Sequence, residues 1–310
     1  MTGVLVVGEA LIDVVTRAGG SAAHPGGSPL NVAVGLARLG IPALLHTAIG
    51  ADDYGDLIRS HLDDSGVRLS AESVTDAPTS VAEAAIDERG AAEYVFQIEW
   101  DPRPLPAADG FDIVHTGSIA TVLAPGRDTV RALVEAQRAS ATISFDPNVR
   151  PKLSGPREEA LRLVLDLVRL ADVVKASDED VQWLYPGRDL AEVAAEWRAL
   201  GPAVVVVTRG GEGALAVTRS DSVDVPAPAT HLVDTVGAGD SFMAAMLAAL
   251  DARSLTGAAH RADLAAIDRA TLLEVVGFAA RCAAITVSRA GANPPWFDEL
   301  AAAESGGVGA

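Results

Sequence analysis

Two hydrophobic periods alternate along this chain. Short apolar, β-branched-rich runs at residues 4–7, 43–48, 112–116, 142–145, 172–175 and 204–207 have the length and composition of buried strands. Between them, stretches at 29–40, 54–62 and 158–170 place apolar residues three and four positions apart, which predicts helices. Strand and helix in alternation predict an α/β fold, a mostly parallel sheet covered by helices. Residues 80–86 and 92–98 break the alternation: two strand-like runs around a polar turn ending in Gly90 read as an antiparallel hairpin, a candidate lid. If exposed there, Phe96 and Trp100 would cover a ligand or pack on a second subunit. Residues 264–289 read as one long helix, stopped by Gly291, Pro294 and Pro295.

The stretch that organises the chain precedes another apolar helix. Phe242, Ala245, Met246, Ala249 and Leu250 recur at helical steps, and the nine residues ending at Phe242 read Asp-Thr-Val-Gly-Ala-Gly-Asp-Ser-Phe. Gly237 and Gly239 let the backbone turn and approach a ligand closely. A helix starting near Gly239 would present unpaired N–H groups and its positive dipole end, a receptive place for phosphate. Asp240, in the first turn, would be within reach of a proton on a hydroxyl attacking that phosphate. A Gly-rich turn with Asp240 or Ser241 as an ordinary N-cap fits the same residues.

A second Gly-rich start, Gly26 and Gly27 followed by Ser28, Pro29, Leu30 and Asn31, opens a helix that stops at Gly40. Ser28 suits the cap and Pro29 the first turn. Asn31 would emerge in that turn with an amide able to bond a polyol; a plain capped helix explains the segment as well. Asp13 lies at a strand end, and Arg150 follows the strand at 142–145 as a candidate for a substrate anion, or as an exposed loop residue. Ser177, Asp178, Glu179 and Asp180 have the chemistry of a helix cap. Thr208 to Gly213 form a Gly-rich turn after a strand, of the kind that admits phosphates.

Composition narrows the setting. Of 310 residues, 49% are hydrophobic, ample for a core, and 24 Lys plus Arg against 42 Asp plus Glu leave a net charge of −18. Such a surface repels nucleic acid and anionic membranes, so an anionic substrate needs a local basic pocket. The single Cys282 excludes an internal disulfide and suits a buried position in a reducing compartment. Glu9 and Asp13 interrupt the apolar N-terminus, which reads as a strand rather than a signal peptide. No run approaches about 18 uninterrupted apolar residues. A soluble cytoplasmic protein is expected, ordered over residues 1–304 with a flexible tail at 305–310.

The two Gly-rich stretches together resemble the N- and C-terminal signatures of the ribokinase-like, or PfkB, family of carbohydrate kinases. The likeness runs from about Val4 to Asn293. It implies a single Rossmann-like αβα sandwich with a small β-sheet lid, drawn from residues 13–17 and 80–98, that often serves as a dimer contact. It implies Asp240 as general base, with the amides of Gly237, Ala238 and Gly239 stabilising the transferring phosphoryl group. Asp13, Gly27 and Asn31 would hold sugar hydroxyls, with Arg150 close to substrate or phosphate. Thr208, Gly210 and Gly213 resemble the family's nucleotide loop. Ser177 and Asp180 stand where many members have an Asn-x-x-Glu that organises water around Mg²⁺, and Asp234 with residues 290–293 resembles a monovalent-cation (K⁺) site.

Three strings lean toward fructokinase-like members: the Gly-Gly-Ser-Pro-Leu-Asn start at Gly26, the loop from Gly117 to Ala120, and Asp-Pro-Asn-x-Arg from Asp146 to Arg150. Two positions depart from the family. The lid's aromatic-aromatic-arginine triplet is Phe96-Gln97-Ile98 here, and an Asn that commonly lies near adenine is Ala280. The expected activity is ATP-dependent, Mg²⁺-assisted phosphorylation of a primary hydroxyl on fructose or a related ketose. Alternatives are a 2-keto-3-deoxygluconate or nucleoside kinase, or a non-catalytic sugar- or nucleotide-binding relative.

Overall fold

The structure, a computed structural model, describes residues 3–17, 20–86, 92–105 and 110–300. The turn at 87–90 and the tail at 305–310 lie outside the described residues. In chain order the first third contains β1 (Gly3–Val7), β2 (Leu11–Arg17), β3 (Gly20–Gly26), α1 (Ser28–Arg38), β4 (Ala43–His46), β5 (Ile49–Gly50), α2 (Asp53–Asp64), β6 (Arg68–Leu69), β7 (Val74–Thr75), β8 (Val81–Ile86) and β9 (Ala92–Gln97). The middle contains β10 (Phe111–Gly117), α3 (Gly126–Gln137), β11 (Thr142–Asp146), α4 (Arg157–Val168), β12 (Val173–Ser177), α5 (Asp178–Leu184), α6 (Leu190–Leu200) and β13 (Val204–Thr208). The last third contains β14 (Ala214–Val217), β15 (Ser222–Val225), α7 (Ala238–Asp251), α8 (Arg261–Ala265) and α9 (Arg269–Val287).

Nine strands form the central sheet in the order β15-β14-β13-β12-β11-β10-β1-β4-β6. All pairs from β13 to β6 are parallel, and β14 and β15 add an antiparallel edge. Along β1, Val4 and Val6 point into one core while Leu5 and Val7 point into the other, the two-residue period of a strand buried on both faces. The Val4 face is covered by α1, α7 and α9, and the Leu5 face by α3, α4, α5 and α6. Met243, Met246, Leu247 and Leu250 of α7 are almost fully buried, each contributing about 1.5–3 kcal/mol. That anchoring fixes the height of the α7 N-terminus against the sheet.

The second sheet is larger than the two segments expected to form a lid, since β3 joins it. It runs β3-β2-β8-β9, with β2 antiparallel to β3 and parallel to β8, and β8 antiparallel to β9. Trp100 is not an exposed lid residue: it is 4% exposed and its indole donates to the Ala120 carbonyl at 3.0 Å. Phe96 is partly buried and lines the cleft below the lid. The helix expected over 264–289 is two, because Asp268 turns out of helical geometry and caps α9 by accepting the Thr271 amide at 2.8 Å. α9 is 19 residues long with mean hydropathy 1.6, and it packs on α7, β14 and β15, with Cys282 buried in that contact face.

Candidate active site

The chain leaves β1 toward β4 on one side and later returns through β10 on the other, so the strand order reverses between β1 and β10. Crevices at such a reversal, outside the carboxyl ends of the strands, are where open α/β sheets bind ligands. The registers put the strand ends in one row: Val7 opposite Thr116, Gly117 opposite Asp146, and Ser177 opposite Thr208.

Two helix N-termini meet above this row. α7 starts after Gly237, whose φ of 74° is left-handed, with no side-chain cap, so neither Asp240 nor Ser241 is an N-cap. A Cβ at Gly237 would also lie 2.6 Å from the Ala292 Cβ, which makes glycine obligatory against residues 290–292. Asp240 is 7% exposed. Its Oδ1 accepts the Ser28 hydroxyl at 2.6 Å and its Oδ2 the Asn31 amide at 2.8 Å. Ser28, expected as the α1 cap, is instead inside the first turn; Gly27 is the N-cap, at φ 110°. Gly27 packs so close to the Glu9 carbonyl that a Cβ there would sit 2.5 Å from it. Of the amides at the α7 start, that of Ala238 also donates to the Thr235 carbonyl at 3.3 Å.

Beneath the α7 N-terminus lies a buried charged pair. Lys175 Nζ is 2.7 Å from Asp146 Oδ2, with both side chains almost wholly removed from water. Burial pushes the Asp146 carboxyl up to about 6, against the pull of Lys175. Burial lowers the Lys175 pKa, but Asp146, Asp180 and Asp240 together outweigh it and hold the ammonium above its usual range. His115, buried beside them, bonds Ser144 through Nδ1 at 2.9 Å. Burial and then Lys175 push it down to about 3, so the imidazole is neutral. Glu9, 4% exposed, accepts the Ala120 amide at 3.2 Å and a bond from the Ser118 side chain. Burial drives its carboxyl up to about 7, with Ser118 and Arg150 opposing.

A cleft of about 1400 Å³ opens between lid and sheet, lined by Asp13, His24, Asn31, Phe96 and Arg150 with Asp234 and residues 290–292. Asp240 is not itself among the lining residues; it is bonded to Asn31, which is. Asp13 keeps an exposed surface, yet low-polarity surroundings raise its carboxyl while Arg150 and then His24 lower it. Its carboxylate rests on Gly26, where any Cβ would collide with Oδ2. Arg150 is exposed and donates to the Asn148 side chain at 2.6 Å. Asp234 accepts the Gly291 amide at 2.8 Å and the Val236 amide at 3.1 Å; these bonds, Gly291's first, hold its carboxyl below the usual range. The structure thus joins Asp234 to the 290–293 loop, with both its oxygens engaged by backbone.

Farther along the row, Thr208 ends β13 and donates weakly, at 3.4 Å, to the Ala176 carbonyl. The turn after it uses left-handed Gly210 (φ 49°) and Gly213 (φ 99°). Ser177 and Asp180 form a reciprocal capping box on α5. Asp180 accepts the Ser177 amide through Oδ2 at 2.9 Å and the Val149 amide through Oδ1 at 2.7 Å. Among the described residues no cluster of three or more His, Cys, Asp or Glu is arranged to hold a metal. Each Asp180 oxygen accepts one backbone amide, which leaves lone pairs able to hold a divalent ion through water.

The residues around Asp240 to which the sequence assigns no part in the chemistry are Ser28, Glu9, His115, Asp146 and Lys175. Ser28 carried a signal, since it precedes Asn31 by three residues and so shares its helix face; the others needed the sheet order.

Residues 1–298 match the model of the pfkB family carbohydrate kinases. A fructokinase from Rhizobium leguminosarum bv. trifolii is 36% identical over 259 residues, covering 80% of this chain and 79% of that protein. Among solved structures, a fructokinase with bound ATP from Xylella fastidiosa superimposes with a TM-score of 0.83 at 27% identity, over 98% of both chains. A fructokinase double mutant from Vibrio cholerae O395, with fructose, ADP and potassium ion bound, gives 0.79 at 28% identity over 94% of both chains. With its two signature loops meeting at Asp240 and the match spanning nearly its whole length, the chain belongs to the pfkB family of carbohydrate kinases and has their ribokinase-like fold.

Proposed function

We propose that this chain transfers the terminal phosphoryl group of ATP to a primary hydroxyl of fructose or a related ketose, with Asp240 as general base. The observation that carries the reading is the meeting of Asp240 with Ser28 and Asn31 at the mouth of two helices. Their donors orient the carboxylate, and Asn31 also lines the cleft, so an acceptor hydroxyl bound beside Asn31 has a proton acceptor behind it. Asp13, Gly27, Asn31 and Arg150 surround the sugar. The N-terminal amides of α7, from Gly237 to Gly239, meet the charge on the transferring group, where preorganised donors act most strongly. Thr208, Gly210, Gly213 and Ser177 border the nucleotide at the ends of β13 and β12.

Magnesium bound with the nucleotide would neutralise charge on the phosphate oxygens, held through water by Asp180. Asp234 and residues 290–293 would hold K⁺ through backbone carbonyls, with the carboxylate ordering the loop. The lid pairs two copies of the chain: β9 is an edge strand with Val95 half exposed, an arrangement that invites pairing. A buried, unreactive Cys282, its thiol pushed up to about 12 by burial, suits a cytoplasmic setting.

An ADP-release screen over ketoses, aldoses, sugar acids and nucleosides, with and without K⁺, tests the substrate. Fructose is expected to give the highest kcat/KM, and a sugar acid or nucleoside in first place overturns that assignment. Asp240→Asn is expected to lower kcat about 10²–10⁴-fold while retaining sugar binding; near-wild-type turnover sinks the role of Asp240.

A further inference from the structure

Neither Lys175 nor Asp146 lines the cleft, yet they are the most deeply buried ion pair among the described residues, at 3% and 0% exposure. Stability alone is a weak reason for such a pair, because burying two charges costs much of what their attraction returns. Their position suggests another reason. Lys175 is carried on β12 to a point where its Nζ lies 2.7 Å from Asp146 Oδ2 and 3.5 Å from the carbonyl oxygen of Gly239. A Cβ on Gly239 would lie 2.8 Å from that nitrogen. The ammonium therefore stands under the first turn of α7, against the residue that precedes Asp240.

We propose that Lys175, locked on Asp146, is a positioning residue for phosphoryl transfer: it fixes the first turn of α7 through the Gly239 carbonyl and places its ammonium beneath the turn that carries Asp240. The inference rests on Asp240 being the base. It accounts for a lysine where an apolar side chain would pack, and for glycine at 239, where a side chain would displace the ammonium. The surrounding charges are few. Lys175 of β12 and Asp146 of β11 act electrostatically on Asp240, and α1 offers it only the neutral Ser28 and Asn31. Asp180 of α5 adds negative charge beside Lys175. His115 of β10, held neutral, adds no second cation. One ammonium thus faces Asp240, opposed by its own partner Asp146 and by Asp180 beside it.

The two partners must therefore act on the base in opposite senses, a signature that a packing role does not produce. The experiment measures kcat and kcat/KM against pH, with fructose and ATP, for wild type, Lys175→Met, Asp146→Asn and Asp240→Asn, each checked for a cooperative melt. In Lys175→Met the acidic limb is expected to move to higher pH by about one unit, the scale of a neighbouring charge. Its kcat plateau is expected to fall on the order of tenfold or more through misplacement of the turn, with the fructose KM little changed. In Asp146→Asn, whose wild-type carboxyl is already largely protonated below about pH 6, the limb is expected to stay or to move to lower pH. An unmoved limb in a folded Lys175→Met, or shifts of the same sign in both variants, overturns the proposal. Should Lys175→Met fail to fold, Asp146→Asn decides: a limb that rises overturns it. Wild-type turnover in Asp240→Asn would instead remove the base reading, whereas loss of turnover there with an unmoved limb in Lys175→Met removes only the role of Lys175.

Discussion

Asn31 and Asp240 lie 209 residues apart in the chain and are joined by a 2.8 Å hydrogen bond from the Asn31 amide to the aspartate Oδ2. With the Ser28 hydroxyl on Oδ1, it engages both carboxylate oxygens and so fixes the orientation of the group. Hydrogen bonds to a charged group contribute about 1.5–3 kcal/mol, so losing either donor is expected to cost roughly 10- to 100-fold in kcat/KM. Ser28→Ala should act mainly on kcat, because Ser28 touches only the base. Asn31→Ala should also raise the fructose KM, because Asn31 lines the cleft. Steady-state kinetics on both variants separates the two effects, and equal changes in kcat and KM for both would contradict the division.

The sheet and the two helix starts were readable because their cues are local. Val4 to Val7 and Val204 to Val207 have the composition of buried strands and are buried on both faces, and Gly237 and Gly239 ahead of an apolar helix mark the turn before α7, whose left-handed N-cap the structure puts at Gly237. What escaped depends on partners distant in sequence. The Ser28 hydroxyl reads as a cap until α7 places Asp240 2.6 Å away. β3 carries no alternating apolar pattern, since its sequence runs Gly-Ser-Ala-Ala-His-Pro-Gly, and it becomes a strand only by pairing with β2. Trp100 follows a lid strand, yet the Ala120 carbonyl draws its indole inward. Asp180 stands in a family metal position and in a cap sequence at once, and the fold gives it the capping box.

Gly237 is expected to tolerate no side chain. Alanine there must adopt φ near 74° and clear the Ala292 Cβ at 2.6 Å. The left-handed conformation alone costs about 1–2 kcal/mol, and relief of the clash must move residues 290–292, which line the cleft. Gly237→Ala should lower the melting midpoint and reduce kcat together. Gly239→Ala meets only Lys175 Nζ, so it should reduce kcat with a smaller change in melting. Calorimetry alongside kinetics checks the contrast.

Arg150 is expected to serve the acceptor end of the cleft. Its charge acts on both Asp13 and Glu9, and it is held by Asn148 beside the wall. Arg150→Met removes a charged donor from the cleft, for which about 1.5–3 kcal/mol is typical. The expected result is roughly a 10- to 100-fold fall in kcat/KM, with little change in melting because the side chain is exposed. A variant with wild-type kinetics would place Arg150 outside the acceptor site.

Glu9 ties the loop after β1 to the loop after β10 and is expected to make stability depend on pH. Its carboxyl is raised from 4.5 to about 7 by burial, so between those values the folded protein binds a proton that the unfolded chain has already released. Stability then falls as pH rises through this window. The full difference of about two and a half pKa units corresponds to roughly 3 kcal/mol, reached once Glu9 is ionised in the folded state near pH 8. Glu9→Gln keeps the size and the acceptor for the Ala120 amide but carries no proton to lose. Its melting midpoint should therefore match wild type near pH 5 and exceed it at pH 8. Denaturant melts of the two proteins from pH 5 to pH 8 test this, because the shifts of other carboxylates, such as the lowered Asp234, are common to both and cancel in the difference. A constant offset between the two curves would mean that Glu9 is ionised throughout, held by Ser118 and Arg150 more strongly than burial opposes.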